Sequence, residues 1–100
     1  MQRPEKMNKV NYKLSLEAEE DLIRIYRYGL NKFGKDQATD YYFGLIETFE
    51  QIAANPFQFA LAENVKAGYR SRSYKADTIY YRITDEVEIM AVIGSQNFKK

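Results

Sequence analysis

Gly68-Tyr-Arg-Ser-Arg-Ser-Tyr-Lys-Ala-Asp-Thr-Ile-Tyr-Tyr-Arg-Ile83 is the stretch whose reading decides the fold. Alternation of bulky and polar residues predicts two strands, Tyr69 to Lys75 and Thr78 to Thr84, joined by a tight link at Ala76-Asp77. A third strand, Val87 to Ile93, follows a second link at Asp85-Glu86. Ile79, Tyr81 and Ile83 share one face of their strand, and Val87, Ile89, Ala91 and Ile93 share one face of the next, so both have an apolar side to bury. Tyr80 and Arg82 then fall on the other face. In-register pairing is expected to bring Arg70, Arg72 and Tyr74 to the same side as Tyr80 and Arg82, a basic and phenolic surface suited to gripping a partner.

Upstream of these strands the pattern turns helical. Leu16 to about Phe33 carries Ala18, Leu22, Ile25, Tyr26, Gly29, Leu30 and Phe33 at helical spacing, with Arg24, Arg27 and Lys32 on or beside the opposite side. Ser15 is the expected N-cap, and Glu17, Glu19, Glu20 and Asp21 follow where carboxylates offset the helix dipole. Gly34 is placed to end this helix, and Asp36 to cap a second one, about Gln37 to Ala54, that Asn55-Pro56 stops. So short a link predicts an antiparallel helical hairpin. Phe57, Phe59 and Leu61 are expected to plug the edge of the sheet. Before the hairpin, Val10, Tyr12 and Leu14 alternate with polar residues as a first strand, and residues 1–8 read as a flexible arm.

The predicted order is strand, helix, helix, strand, strand, strand. It specifies a two-layer α+β domain over residues 1–100, a helical hairpin against a sheet that ends in a three-stranded antiparallel meander. The 100 residues are enough for one core, and nine tyrosines and six phenylalanines make that core bulky. The net charge of +1 hides an asymmetry. Residues 1–64 carry eight basic and ten acidic groups, whereas residues 65–100 carry seven basic and four acidic. No apolar run suggests a leader or membrane span, and a cytoplasmic protein is expected.

Neither histidine nor cysteine occurs in the chain. Imidazole and thiol chemistry is therefore excluded, and binding is expected ahead of catalysis. The acidic run at Glu17 to Asp21 is explained by the helix dipole, so no metal or other cofactor is expected.

In order and spacing, several segments together resemble the ParE branch of the RelE/ParE superfamily of toxin–antitoxin toxins. They are Leu14-Ser15 with Ala18, Asp21-Leu22 and Ile25; Phe33-Gly34; Ile52-Ala53-Ala54-Asn55-Pro56; Gly68-Tyr69-Arg70; and Ile79-Tyr80-Tyr81-Arg82. The resemblance spans about Tyr12 to Ile93. Many relatives carry histidine where this chain has Asp77 or Thr78, and again where it has Gly94 to Phe98.

Similarity to ParE implies a noncatalytic toxin that poisons DNA gyrase and is neutralised by a ParD-like antitoxin folding across its helices and sheet. DNA would be contacted only through the antitoxin complex. The expected antitoxin-binding residues are Tyr69, Arg70, Arg72, Tyr74, Tyr80 and Arg82. Gln96, Asn97 and Phe98 in the tail, residues 95–100, are the expected contributors to target inhibition. Two alternatives stay open: RelE-like cleavage of ribosome-bound messenger RNA, in which the arginines steady phosphate charge and Lys75 or Tyr80 acts as base, and a degenerate, non-toxic binding module.

Overall fold

A helical hairpin laid on a five-stranded sheet makes up the computed structural model, which describes residues 11–94. Chain order is β1 (Tyr12–Leu14), α1 (Leu16–Phe33), α2 (Lys35–Ala54), β2 (Ala60–Leu61), β3 (Arg70–Tyr74), β4 (Asp77–Ile83) and β5 (Val87–Gly94). Strands lie in the order β1-β5-β4-β3-β2. All neighbours are antiparallel except β1, which runs parallel to β5. Val10, the residue expected to open the first strand, lies outside the described residues.

Ser15 starts α1 as expected, its Oγ accepting the Ala18 N–H at 3.0 Å. The same hydroxyl donates to the Met90 carbonyl, and the Ser15 N–H donates to Ile89, so one residue both caps the helix and fastens it to β5. Gly34 ends α1 at φ 93°, in the left-handed range, donating to the Gly29 and Leu30 carbonyls. It also begins α2. Asp36 therefore does not cap the second helix; it lies within the first turn of a helix that starts at Lys35, and the cap position carries no side-chain bond.

The hairpin closes where Gly29 meets Ala38. A Cβ at Gly29 would come within 3.2 Å of the Ala38 Cβ, so the smallest side chain sets the approach of the two helices. Below this crossing Leu22, Ile25, Leu45, Phe49 and Ile52 pack on Ile79, Tyr81, Ile89 and Val92. Burying each such side chain contributes about 1.5–3 kcal/mol.

Three parts of the sheet differ from the sequence-based expectation. The β3–β4 link is Lys75-Ala76, with Lys75 at φ 52°, since Asp77 already pairs with Tyr74 and Gly94. The β4–β5 link has three residues, because Ile83 pairs with Val87. A bulge at Met90 then shifts the register, from Tyr81 opposite Ile89 to Tyr80 opposite Ala91. Past the bulge Val92, opposite Ile79, takes the core position, and Ile93 joins Thr78 on the other face. That removes Ile93 from the face of Val87 and Ile89.

The α2–β3 connection contributes the short strand β2, which extends the sheet through Ala60–Ser71 and Leu61–Arg70 pairs. The expected plug is only partly formed. Phe59 packs against the core, while Phe57 and Leu61 are exposed.

Candidate functional site

The five side chains expected to share one face, Arg70, Arg72, Tyr74, Tyr80 and Arg82, are divided between two. A two-residue β3–β4 link pairs even-numbered residues of β3 with odd-numbered residues of β4, and paired residues of an antiparallel sheet share a face. Arg70 therefore sits with Tyr81, Arg72 with Ile79 and Tyr74 with Asp77, all toward the helices. Tyr80 pairs with Ser71 on the opposite face, where Arg82 pairs with Glu88. Tyr69 lies just before β3, its carbonyl accepting the Ala62 N–H and its ring 6.0 Å from Lys66 Nζ.

On the helix side, Arg70 and Arg72 flank the Pro56–Phe59 turn beyond the end of α2. Arg70 Nη1 donates to the Phe59 carbonyl at 2.7 Å and, more weakly, to Phe57 at 3.4 Å, and its guanidinium lies 5.3 Å over the Phe57 ring. Arg72 lies 4.8 Å over Phe59. Tyr81 completes the clamp from below, donating to the Pro56 carbonyl at 2.6 Å. Burial raises the Tyr81 pKa, and the neighbouring Arg70 and Arg72 charges offset that rise only in part. Arg70 thus holds its own chain in shape.

Tyr74 is equally engaged. Its ring meets Tyr41 edge-on at 5.1 Å, and a Cβ at Gly44 would collide with its phenol, so the glycine in α2 admits it. On the outer face Arg82 Nε is 2.9 Å from Glu88 Oε1, a cross-strand pair that neutralises its charge locally. The cationic sheet platform expected from the sequence is therefore absent from the described residues. Gln96, Asn97 and Phe98 lie outside them.

Asp21 and Arg24 join α1 to β5. Asp21 accepts the Val92 N–H at 2.8 Å, and Arg24 Nη2 donates to Asp21 and to the Val92 carbonyl. Arg24 is thus turned toward the sheet, against the expectation that it lay on the wet side of the helix.

The surface that remains open is apolar and helical. Leu16, Ile23 and Leu30 recur every seventh residue along α1 and are 70 %, 53 % and 38 % exposed. With Tyr26 and, from α2, Tyr42 and Phe43, Ile23 and Leu30 line an open groove of about 790 Å³ along the hairpin. Tyr26 is 3.3 Å from Thr39 Oγ1 and edge-on to Tyr42 at 6.0 Å, which stiffens the groove's centre. Phe43 was legible as a residue off the buried stripe. The expected stripe leaves out Ile23 and includes Leu30 and Phe33; the seven-residue spacing from Leu16 is the signal that marks Ile23 and Leu30, whereas Phe33 lies near the direction of Leu22 around the helix and is exposed in the last turn of α1.

This arrangement defines a small α+β protein with an uncovered apolar helical groove. Residues 12–97 match the family described as ParE toxin of type II toxin-antitoxin system, parDE. The chain is 38 % identical over 82 residues to Toxin ParE1 of Caulobacter vibrioides, covering 82 % of this chain and 85 % of that one. It is 33 % identical over 81 residues to Toxin ParE1 of Mycobacterium tuberculosis, covering 81 % and 83 %. Its fold superposes with a TM-score of 0.76 on a chain of the chromosomal ParDE TA system from P. aeruginosa, at 18 % identity, covering 85 % of this chain and 95 % of the other. The chain belongs to the ParE toxin family of type II toxin–antitoxin systems. Among the described residues no helix is long and apolar enough to cross a membrane.

Proposed function

We propose that this protein arrests growth by binding DNA gyrase and is held inactive by a ParD-like antitoxin whose amphipathic segment lies in the hairpin groove. Family membership supports the toxin class, and the solved ParDE relative supports a ParD-type partner. The observation that carries the antitoxin assignment is the groove itself. Ile23 and Leu30 on α1 and Phe43 on α2 expose apolar side chains along the groove, a surface that suits the apolar face of an amphipathic helix.

A binding mode of action fits the side chains available. Histidine and cysteine are missing, Arg70 is committed to backbone carbonyls, and Arg82 to Glu88 on the opposite face. Acid–base cleavage of RNA needs a donor, an acceptor and phosphate-stabilising cations converging on one point. Here Arg70 and Arg72 are separated from Tyr80 and Arg82 by the thickness of the sheet.

Purified protein added to a gyrase supercoiling assay tests this reading. Supercoiling is expected to fall or cleaved DNA to accumulate, and preincubation with the antitoxin is expected to restore activity. Unimpaired supercoiling by a preparation that arrests cell growth would remove gyrase as the target.

A further inference from the structure

The two margins of the sheet are finished differently. Past the end of β1 the side of β5 is covered by α1: Ser15 bonds to the Ile89 and Met90 carbonyls, and Asp21 and Arg24 take the Val92 N–H and carbonyl. Side chains thus stand where another strand would pair. At the opposite margin β2 is the outermost strand, and no strand among the described residues pairs with its outer side. The Ala62 N–H donates inward to the Tyr69 carbonyl, so by alternation the N–H and carbonyl of Leu61 point outward. Ala60 and Leu61 are both exposed, Leu61 by 60 %, and neither is one of the charged residues or prolines that guard an edge. An edge left in this state accepts a strand from another chain.

The surroundings specify the chemistry of that strand. Leu61 pairs with Arg70, and the two share the helix-side face with Arg72. Phe57, 70 % exposed, lies under the Arg70 guanidinium, and Arg72 covers Phe59. Between Pro56 and Lys75 the chain holds four basic residues and one acidic residue, Glu63. The ion pairs of the described residues are Lys13–Glu86, Asp21–Arg24 and Arg82–Glu88, so neither Arg70 nor Arg72 meets a carboxylate among them. The bonds from Arg70 to the Phe57 and Phe59 carbonyls fix its place and leave its charge uncancelled.

Uncancelled guanidinium groups beside exposed Phe57 and Leu61 suit an extended segment that carries acidic and apolar residues. A second copy of this chain does not fit, because edge-to-edge pairing would bring two sets of Arg70 and Arg72 together. The proposed function calls for two partners, and the two exposed surfaces differ in kind. The apolar groove along the hairpin takes a helix, the antitoxin's, and the cationic edge is left for the target.

We propose, on the reading that this toxin acts by binding its target, that the β2 edge is the target-binding surface. An extended acidic segment of the target pairs with the backbone of Leu61 and sets a carboxylate on Arg72, beside Phe57.

Two full-length variants test this. Leu61→Pro removes the outward N–H and spares the β2–β3 ladder, and Arg72→Glu reverses the charge of the edge. Both are expected to keep the circular dichroism and antitoxin affinity of the natural protein. Each is expected to need at least about tenfold more protein for half-inhibition of gyrase supercoiling, and to lose growth arrest on induced expression. If one variant folds poorly, the other reports alone. Undiminished growth arrest by a folded variant would overturn the proposal. A parallel loss of antitoxin affinity, which assigns the edge to the antitoxin, would also overturn it, as would a dimer of the free protein that Leu61→Pro abolishes. Growth arrest lost in the variants while the natural protein leaves supercoiling intact would uphold the edge and remove gyrase as the target.

Discussion

The Tyr41 phenol donates a 2.6 Å hydrogen bond to Asp77 Oδ2, tying the middle of α2 to the first residue of β4. Asp77 is 2 % exposed, and Tyr41 also donates to the Tyr74 carbonyl at 3.3 Å. Burial first, and the Asp77 carboxylate second, push the Tyr41 pKa well above its ordinary value of 10.0. Hydrogen bonds to a charged group contribute about 1.5–3 kcal/mol. Tyr41→Phe is accordingly expected to lower unfolding free energy by about that amount in urea titrations.

The same pair sets a pH dependence. Because the folded-state value for Tyr41 lies above the unfolded one, the folded protein holds this proton more tightly. Its contribution is complete below pH 10 and disappears as pH rises through the folded value. Thermal denaturation above pH 10 is therefore expected to show a steeper alkaline loss in the natural protein than in Tyr41→Phe.

Arg70 and Arg82 are expected to behave differently, although the sequence makes them look alike. Arg70→Ala frees two backbone carbonyls of the Pro56–Phe59 turn and strips the cover from Phe57, at a cost of about 1–3 kcal/mol. Arg82→Ala breaks a half-exposed ion pair with Glu88, which is worth about 0–1 kcal/mol. Urea midpoints of the two variants check the contrast, and equal midpoints would contradict it.

That contrast marks what the sequence discloses and what it hides. Ser15, Gly34 and Asn55-Pro56 act locally, through a cap, a left-handed residue and a stop, so the helical hairpin can be read directly. Register is set by links and bulges. The Lys75-Ala76 turn carries none of the usual hairpin residues to mark its place, and by starting one residue earlier than expected it sets Arg70 opposite Tyr81, Arg72 opposite Ile79 and Tyr74 opposite Asp77. The Met90 bulge has no sequence signature at all, and it moves Ile93 off the core face in favour of Val92. The width of the α1 apolar surface was visible; which part of it the sheet covers was not, because that depends on where Asp21 and Arg24 fasten the helix to Val92.

Lys75 sits at φ 52°, a backbone state disfavoured for residues with a Cβ by about 1–2 kcal/mol, least so for asparagine. Its side chain is exposed, with Nζ 5.5 Å from the Tyr74 ring. Lys75→Asn is expected to stabilise the fold by a few tenths of a kcal/mol up to about 1 kcal/mol. A raised melting temperature with unchanged circular dichroism checks this.

The groove prediction concerns binding without stability. Ile23→Asp and Phe43→Asp replace side chains that are 53 % and 51 % exposed, so the fold is expected to persist. Central apolar anchors of an interface are each worth about 2 kcal/mol or more, so antitoxin affinity measured by calorimetry is expected to fall at least about thirtyfold per variant. Unchanged affinity would move the antitoxin to another surface.

The central claim is action by occupancy, and a titration of gyrase supercoiling at fixed enzyme and rising toxin tests it most directly. The account predicts that activity declines in proportion to the toxin-to-gyrase ratio, ends at a defined stoichiometry, and returns when antitoxin strips the toxin away. Complete and irreversible inactivation by a trace of toxin, or intact gyrase alongside cut ribosome-bound transcripts, would contradict it.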